Sequence, residues 1–242
     1  MTTKPTIVLV HGAFADGSSW DGVIKRLQRQ GYRVEAPGVA LRGVGEDSAY
    51  LASLVKQIEG PVLLVGHSYG GALITNAASD VGNVVGLVFV AAFAPDTDEV
   101  LGEVAAESKD SVLMAVLVQR SYPAGKDGET EPEFVIDPAK LREAFAADLP
   151  EDRTAVMAAT QRPAAAAAFS DKSGPPAWKS LPSWAVVATQ DKAAGADIVR
   201  SMARRAGAEI VEIESSHVVM MSHPQEVTDV VVRAAERAAA DA

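Results

Sequence analysis

The stretch Pro61-Val62-Leu63-Leu64-Val65-Gly66-His67-Ser68-Tyr69-Gly70-Gly71 decides the fold. It opens with a short apolar run bounded by glycine, which reads as a fully buried strand, and passes into a helical pattern over residues 69–79. At the join lies G-x-S-x-G. Glycines on either side of a serine permit a strand-to-helix turn too tight for side chains, and that turn holds the hydroxyl clear of the backbone. The pentapeptide alone recurs by chance; the strand before it and the helix after it make it specific. Ser68 is therefore the candidate nucleophile. The rest of the chain has to supply a base, an acid and an oxyanion hole.

Working outward, similar apolar runs occupy residues 6–10, 33–36, 84–92, 183–189 and 209–214. Most are rich in Val and Ile with little alternation, as parallel strands covered on both faces require. Helical stretches lie between them. Residues 20–30 place Val23, Ile24 and Leu27 on one face, closed by Gly31, and residues 47–59 do the same with Leu51, Leu54, Val55 and Ile58. Residues 193–206 and 225–239 complete the set. Strand alternating with helix predicts an α/β fold, a doubly wound, mostly parallel sheet with its ligand site at the carboxyl ends of the strands.

The expected core is residues 1–95 and 183–242, a single domain overall. From residue 96 to 182 the rhythm breaks, with no parallel strand in view. Asp137-Pro138 reads as a helix start, residues 125–132 as a polar turn, 134–136 as a short strand or hairpin arm, and 162–169 as a helix. An insertion at this point is where a helical cap or lid over the site belongs. The Ala-rich end beyond Arg233 reads as a helix that frays.

Composition narrows the partners. Hydrophobic residues at 48% against 22% charged exclude a disordered chain. A formal charge of −10 argues against nucleic acid and against anionic membranes, leaving a small-molecule substrate as the expected partner. The absence of cysteine excludes disulfides, thiolate metal sites and a cysteine nucleophile. No apolar run approaches the roughly 18 residues of a membrane span. Residues 1–5 enter the first strand without a signal-peptide core, so the expected location is cytoplasmic. No zinc spacing, phosphate loop or dinucleotide motif appears, and no cofactor is expected.

A serine hydroxyl needs an adjacent base. Of His11, His67, His217 and His223, His217 in Glu214-Ser215-Ser216-His217 follows the last strand, where a loop can bring an imidazole onto the serine. His223 precedes Pro224 at a helix start and suits packing or capping. His67, next to Ser68 in the chain, points elsewhere. For the acid, Asp191 lies just past the run 183–189 and preserves the chain order Ser, Asp, His. Asp96, past the run 84–92, competes with it, and Asp98 is a third choice. The oxyanion hole is expected from the backbone N–H of Tyr69 and of Ala13, in the loop His11-Gly12-Ala13-Phe14. Gly12 lets that loop approach the serine, His11 is given a structural role, and Phe14 is a candidate pocket residue.

These residues resemble the α/β-hydrolase superfamily over essentially the whole chain. His11-Gly12-Ala13-Phe14 with Trp20, residues 66–71, Asp191 and Ser216-His217 are similar to small bacterial esterases of that fold, a group akin to the plant methyl-ester esterases and hydroxynitrile lyases. The resemblance implies a cofactor-free enzyme with a helical cap, the triad Ser68, His217 and Asp191, and backbone donors at Ala13 and Tyr69. Lyases of that group carry a Lys directly after the histidine and a Thr in the first loop. Here those places are Val218 and Gly12, which points to ester hydrolysis. The expected reaction is hydrolysis of a small, uncharged carboxylic ester through an acyl-enzyme; Phe134, Phe145, Phe169, Trp178, Met114 and Met157 suggest an apolar cap interior. The alternatives are lactone or C–C bond hydrolysis or perhydrolysis on the same triad, or a ligand-binding receptor that retains the site.

Overall fold

Residues 4–125 and 128–240 are described in the computed structural model. Among the described residues there are nine strands and ten α-helices: β1 (Thr6–Val10), α1 (Asp21–Arg29), β2 (Val34–Glu35), α2 (Val44–Val55), β3 (Val62–His67), α3 (Tyr69–Ala77), β4 (Val84–Val90), α4 (Leu101–Ala106), β5 (Leu117–Pro123), β6 (Thr130–Ile136), α5 (Leu141–Phe145), α6 (Glu151–Thr160), β7 (Ala164–Ala165), α7 (Ala167–Ser170), β8 (Ser183–Ala188), α8 (Ala196–Arg205), β9 (Glu209–Ile213), α9 (Val219–Ser222) and α10 (Pro224–Ala240). Six of the strands form one sheet in the order β2-β1-β3-β4-β8-β9, every pairing parallel. All six are the runs read from the sequence.

Burial explains their composition. Every residue of β1, β3 and β8 is buried, so unbroken apolar runs are required there, whereas the edge strands β2 and β9 are only partly covered and carry Glu35, Glu209 and Glu212. Chain order and handedness then assign the layers. The step from β1 to β2 runs in one direction across the sheet, and the steps β2 to β3, β3 to β4 and β8 to β9 run in the other. Right-handed crossovers therefore put α1 on one face and α2, α3 and α8 on the opposite face. Helix α10 packs on α1, and α2 packs on α3. The direction reverses at β1, between β2 and β3, so the loops after β1 and β3 diverge at their carboxyl ends and leave a crevice.

Between β4 and β8 the chain leaves this sheet and builds a second one, antiparallel, in the order β5-β6-β7. The hairpin β5–β6 accounts for the polar stretch at 125–132, whose residues 126–127 lie outside the described residues, as do residues 1–3 at the head of the chain. Two expectations fail here. Residues 162–169 are not one helix: Ala164–Ala165 pair with Phe134 and Glu133, and the Ala165 N–H donates to the Leu41 carbonyl at 2.8 Å. Only Ala167–Ser170 is helical. Alanine favours helix only by default, and a fully buried site offering strand partners to the small Ala164 and Ala165 overrides that preference. Nor does a helix begin at Asp137-Pro138. The Asp137 carboxylate accepts the Ala139 N–H at 2.9 Å, a local turn, and helix α5 starts at Leu141.

Beyond Arg233 the helix continues to Ala240 with Ala234, Ala235 and Ala238 buried, so the Ala-rich end is packed. No helix among the described residues is long and apolar enough to cross a membrane.

Candidate active site

Ser68 caps α3 directly after β3 with φ 53° and ψ −121°, a left-handed conformation that an L-residue adopts only under constraint. The constraint is the close passage of neighbouring backbone. A Cβ on Gly66 would lie 2.5 Å from the Gly70 carbonyl oxygen, and one on Gly70 would lie 2.6 Å from that of Val10. The β3–α3 turn is therefore wedged against the end of β1, and its glycines are steric requirements.

The loop after β1 reaches the same place. A Cβ on Gly12 would stand 2.8 Å from both His67 Nδ1 and Ser68 Cβ. This approach sets Ala13 and Phe14 beside Ser68, and all three line one cavity with Tyr69, Phe145 and His217. The N–H groups of Ala13 and Tyr69 donate no hydrogen bond elsewhere among the described residues, as expected of donors at a helix start and its facing loop. Phe14, at φ 64°, is buried, stacks on Phe169 at 6.1 Å and meets Phe145 edge-on at 6.4 Å. The cavity is almost wholly apolar and nearly closed. Its free space, taken at the centres of water molecules, is ≈ 20 Å³, room for about one water. Of the side chains that line it, Met114 is exposed.

The sheet order selects the carboxylate. Asp191 follows β8 and His217 follows the adjacent β9, and Asp191 Oδ2 accepts His217 Nδ1–H at 2.8 Å with both side chains buried. The other oxygen, Oδ1, accepts the N–H groups of Ala193 and Ala194 at 2.8 and 3.0 Å. This fixes the tautomer and leaves His217 Nε2 as an acceptor in the cavity it shares with Ser68. Asp96 lies one strand further off and is bound to Lys179 at 2.6 Å, which holds its carboxyl below the ordinary range. Asp98 is exposed beside Lys172. Neither meets His217.

Two other histidines brace this arrangement. His67 Nε2–H donates to the His217 carbonyl at 3.1 Å, with the rings 4.6 Å apart. Burial first, and then the nearby His217, push its pKa well below the ordinary value, so His67 stays neutral. His11 donates from Nδ1 to the Gly12 carbonyl at 2.9 Å and accepts the Val39 N–H on Nε2 at 3.1 Å. It holds the first loop, and burial lowers its pKa. His223 lies at the start of α10, against Ser222 at 3.0 Å. Val218, where a lyase has Lys, is fully buried.

The sequence reading missed two carboxylates. Asp47 on α2 is buried and accepts the Tyr69 hydroxyl at 2.8 Å and the Arg42 N–H at 3.1 Å. Burial raises its pKa, and these hydrogen bonds offset only part of the rise. Asp148, from the segment between β4 and β8, meets the loop of His217. No motif marks either residue, since Tyr69 lies 22 positions from Asp47, and Ser215 and Ser216 lie 67 and 68 positions from Asp148. Among the described residues, no group of three or more His, Asp or Glu side chains is arranged to hold a metal ion.

Comparison with known proteins follows the same outline. Over 103 residues the chain is 34% identical to a pyrethroid hydrolase of Sphingobium wenxiniae, an alignment covering 37% of this chain and 36% of that protein. Over 108 residues it is 33% identical to methylesterase 8 of Arabidopsis thaliana, covering 39% and 40%. The chain thus spans well under two thirds of the length of either relative. The crystal structure of polyneuridine aldehyde esterase superposes with a TM-score of 0.79 across 96% of this chain and 99% of that one, at 20% identity, a likeness of fold. The sequence model of the alpha/beta hydrolase family matches residues 7–230. Because that match runs from β1 into α10 and spans every residue gathered around Ser68, the chain belongs to the alpha/beta hydrolase family.

Proposed function

We propose that the protein is a cofactor-independent serine esterase acting on a small, uncharged, partly apolar carboxylic ester. The observation that carries this reading is the placement of Ser68, on a strained turn, in one apolar cavity with a His217 whose Nδ1–H is bound by buried Asp191. In this reading His217 Nε2 takes the Ser68 proton as Oγ bonds to the ester carbonyl carbon. The N–H groups of Ala13 and Tyr69 bind the oxyanion; losing one such donor typically costs about 3–4 kcal/mol of transition-state stabilisation. Collapse breaks the bond to the alkoxide, which leaves with the proton from Nε2. Water then gives its proton to Nε2 and attacks the acyl-enzyme, releasing the acid and restoring Ser68. Asp191 holds the ring through Nδ1–H and stabilises the transient imidazolium.

Charge and size support the substrate class. The lining offers no cation or carboxylate to a charged acyl group, because Asp191 is buried behind His217. The names of the relatives, a pyrethroid hydrolase and a methylesterase, agree with ester chemistry. The segment 96–182 acts as the cap, since Leu101, Leu113, Phe145 and Phe169 close the cavity from it. The test is hydrolysis of p-nitrophenyl esters of increasing acyl length, wild type beside Ser68→Ala. Short acyl chains should react faster than long ones, and the variant should lose about a thousandfold or more in kcat. Undiminished turnover by Ser68→Ala would refute the assignment.

A further inference from the structure

The loop that carries His217 is gripped from outside the parallel sheet. Asp148 lies in the turn between α5 and α6, and its two oxygens receive three hydrogen bonds from the residues just before His217. Ser215 Oγ–H donates to Oδ2 at 2.8 Å, the Ser216 N–H donates to the same oxygen at 3.1 Å, and Ser216 Oγ–H donates to Oδ1. Ser215 and Ser216 are buried, whereas Asp148 sits at the exposed edge. The network continues from Ser215 Oγ to the half-buried Ser222 Oγ at 3.0 Å and on to His223 Nδ1 at 3.0 Å. Three positions before Asp148, Phe145 lays its ring 4.9 Å from the His217 imidazole. One short span of the insertion thus touches His217 on its ring and on its loop.

We propose that Asp148 is a positioning residue for His217: carried by the insertion, it grips Ser215 and Ser216 and aims the imidazole at Ser68 only while the insertion is seated. This rests on His217 being the base. Neighbouring residues of the loop have other ties. The Ser215 carbonyl accepts the Gln190 N–H at 3.0 Å, and the His217 carbonyl accepts His67. The N–H and hydroxyl of Ser216 both end on Asp148. Hydrogen bonds to an ionised acceptor are the stronger kind, and these keep Asp148 ionised. The partial desolvation of this edge position opposes its charge most, but the hydrogen bonds led by those from Ser216 and Ser215 together outweigh it and hold the carboxyl below the ordinary range. The closed cavity supplies the reason for such a link. With room for about one water, it has to open for an ester to enter, and Asp148 restores the base when the insertion returns.

The test uses the full chain with Asp148→Ala, Asp148→Asn and Ser216→Ala, each checked for folding by thermal melting. Two quantities are read: kcat and KM on p-nitrophenyl acetate, and the downfield proton resonance of His217 Nδ1–H with its rate of exchange with water. In Asp148→Ala, kcat is expected to fall about ten- to a hundredfold, the scale of a misplaced catalytic group, with KM within about twofold of wild type and faster proton exchange. Asp148→Asn keeps one acceptor oxygen and should fall between. A folded Asp148→Ala with wild-type kcat and an unchanged resonance overturns the proposal, as does a change in KM alone. If Asp148→Ala does not fold, Ser216→Ala decides, and wild-type kcat there overturns it. If the wild type hydrolyses no ester, the esterase reading fails by itself. The proton resonance then decides the grip alone, and an unchanged signal in Asp148→Ala overturns it.

Discussion

Gly12 shows how much rests on a single hydrogen in place of a side chain. A methyl there would press on His67 Nδ1 and Ser68 Cβ at 2.8 Å. Neither neighbour gives way cheaply: the His67 ring is tied to the His217 carbonyl and sits edge-on to Trp20, and Ser68 is already at positive φ. Gly12→Ala should therefore destabilise the fold by about 1–3 kcal/mol, the usual cost of overpacking, and lower kcat because the nucleophile shifts. Urea denaturation and ester kinetics check both parts; an unchanged midpoint and rate would mean that the loop yields freely. The same contact explains why an expected departure from the lyases, glycine where they have threonine, is sterically enforced here.

Helix α3 begins at the candidate nucleophile, and its neighbour α2 holds it by one buried polar contact. The Tyr69 hydroxyl donates to Asp47, whose carboxylate has few other donors and no cation against it. Removing the donor leaves a buried acceptor underfilled, which costs about 1–3 kcal/mol. Tyr69→Phe should lose that much stability by thermal or urea melting, and the loss should vanish in an Asp47→Ala background, which has no acceptor for the hydroxyl, if the pair acts as one unit. An equal loss in both backgrounds would place the effect in packing alone.

At the scale of the molecule, the buried histidines set how the fold meets acid. His11 and His67 have folded pKa values below the ordinary 6.5 because burial disfavours the charged ring. Below pH 6.5 the unfolded chain therefore binds protons that the folded chain refuses, and stability falls as pH drops through that point. The slope is about 1.4 kcal/mol per pH unit for each ring that stays neutral. Carboxylates held low, such as Glu99 by Arg205 and Asp16 by Ser18, add their loss only at lower pH. Melting temperature should thus begin to decline near pH 6.5, well above the carboxylate range. A curve flat from pH 8 to pH 5 would contradict the buried neutral rings.

The amino-acid sequence by itself determined the six core strands, the strained serine turn and the two loops expected to complete the site. Those features are local: apolar runs report burial on both faces, and glycines report turns that exclude side chains. It left Asp191 and Asp96 as rivals, because both follow buried strands. Only the order β4-β8-β9 put Asp191 beside His217 and turned Asp96 toward Lys179. The tertiary structure alone made a strand of Ala164–Ala165, brought Asp47 to Tyr69, and set Asp148 on the loop of His217. The physical reason is the same in each case. These contacts join residues 22 to 83 positions apart, and what brings them together is the packing of the insertion and helices on the sheet, which no local pattern of residues encodes.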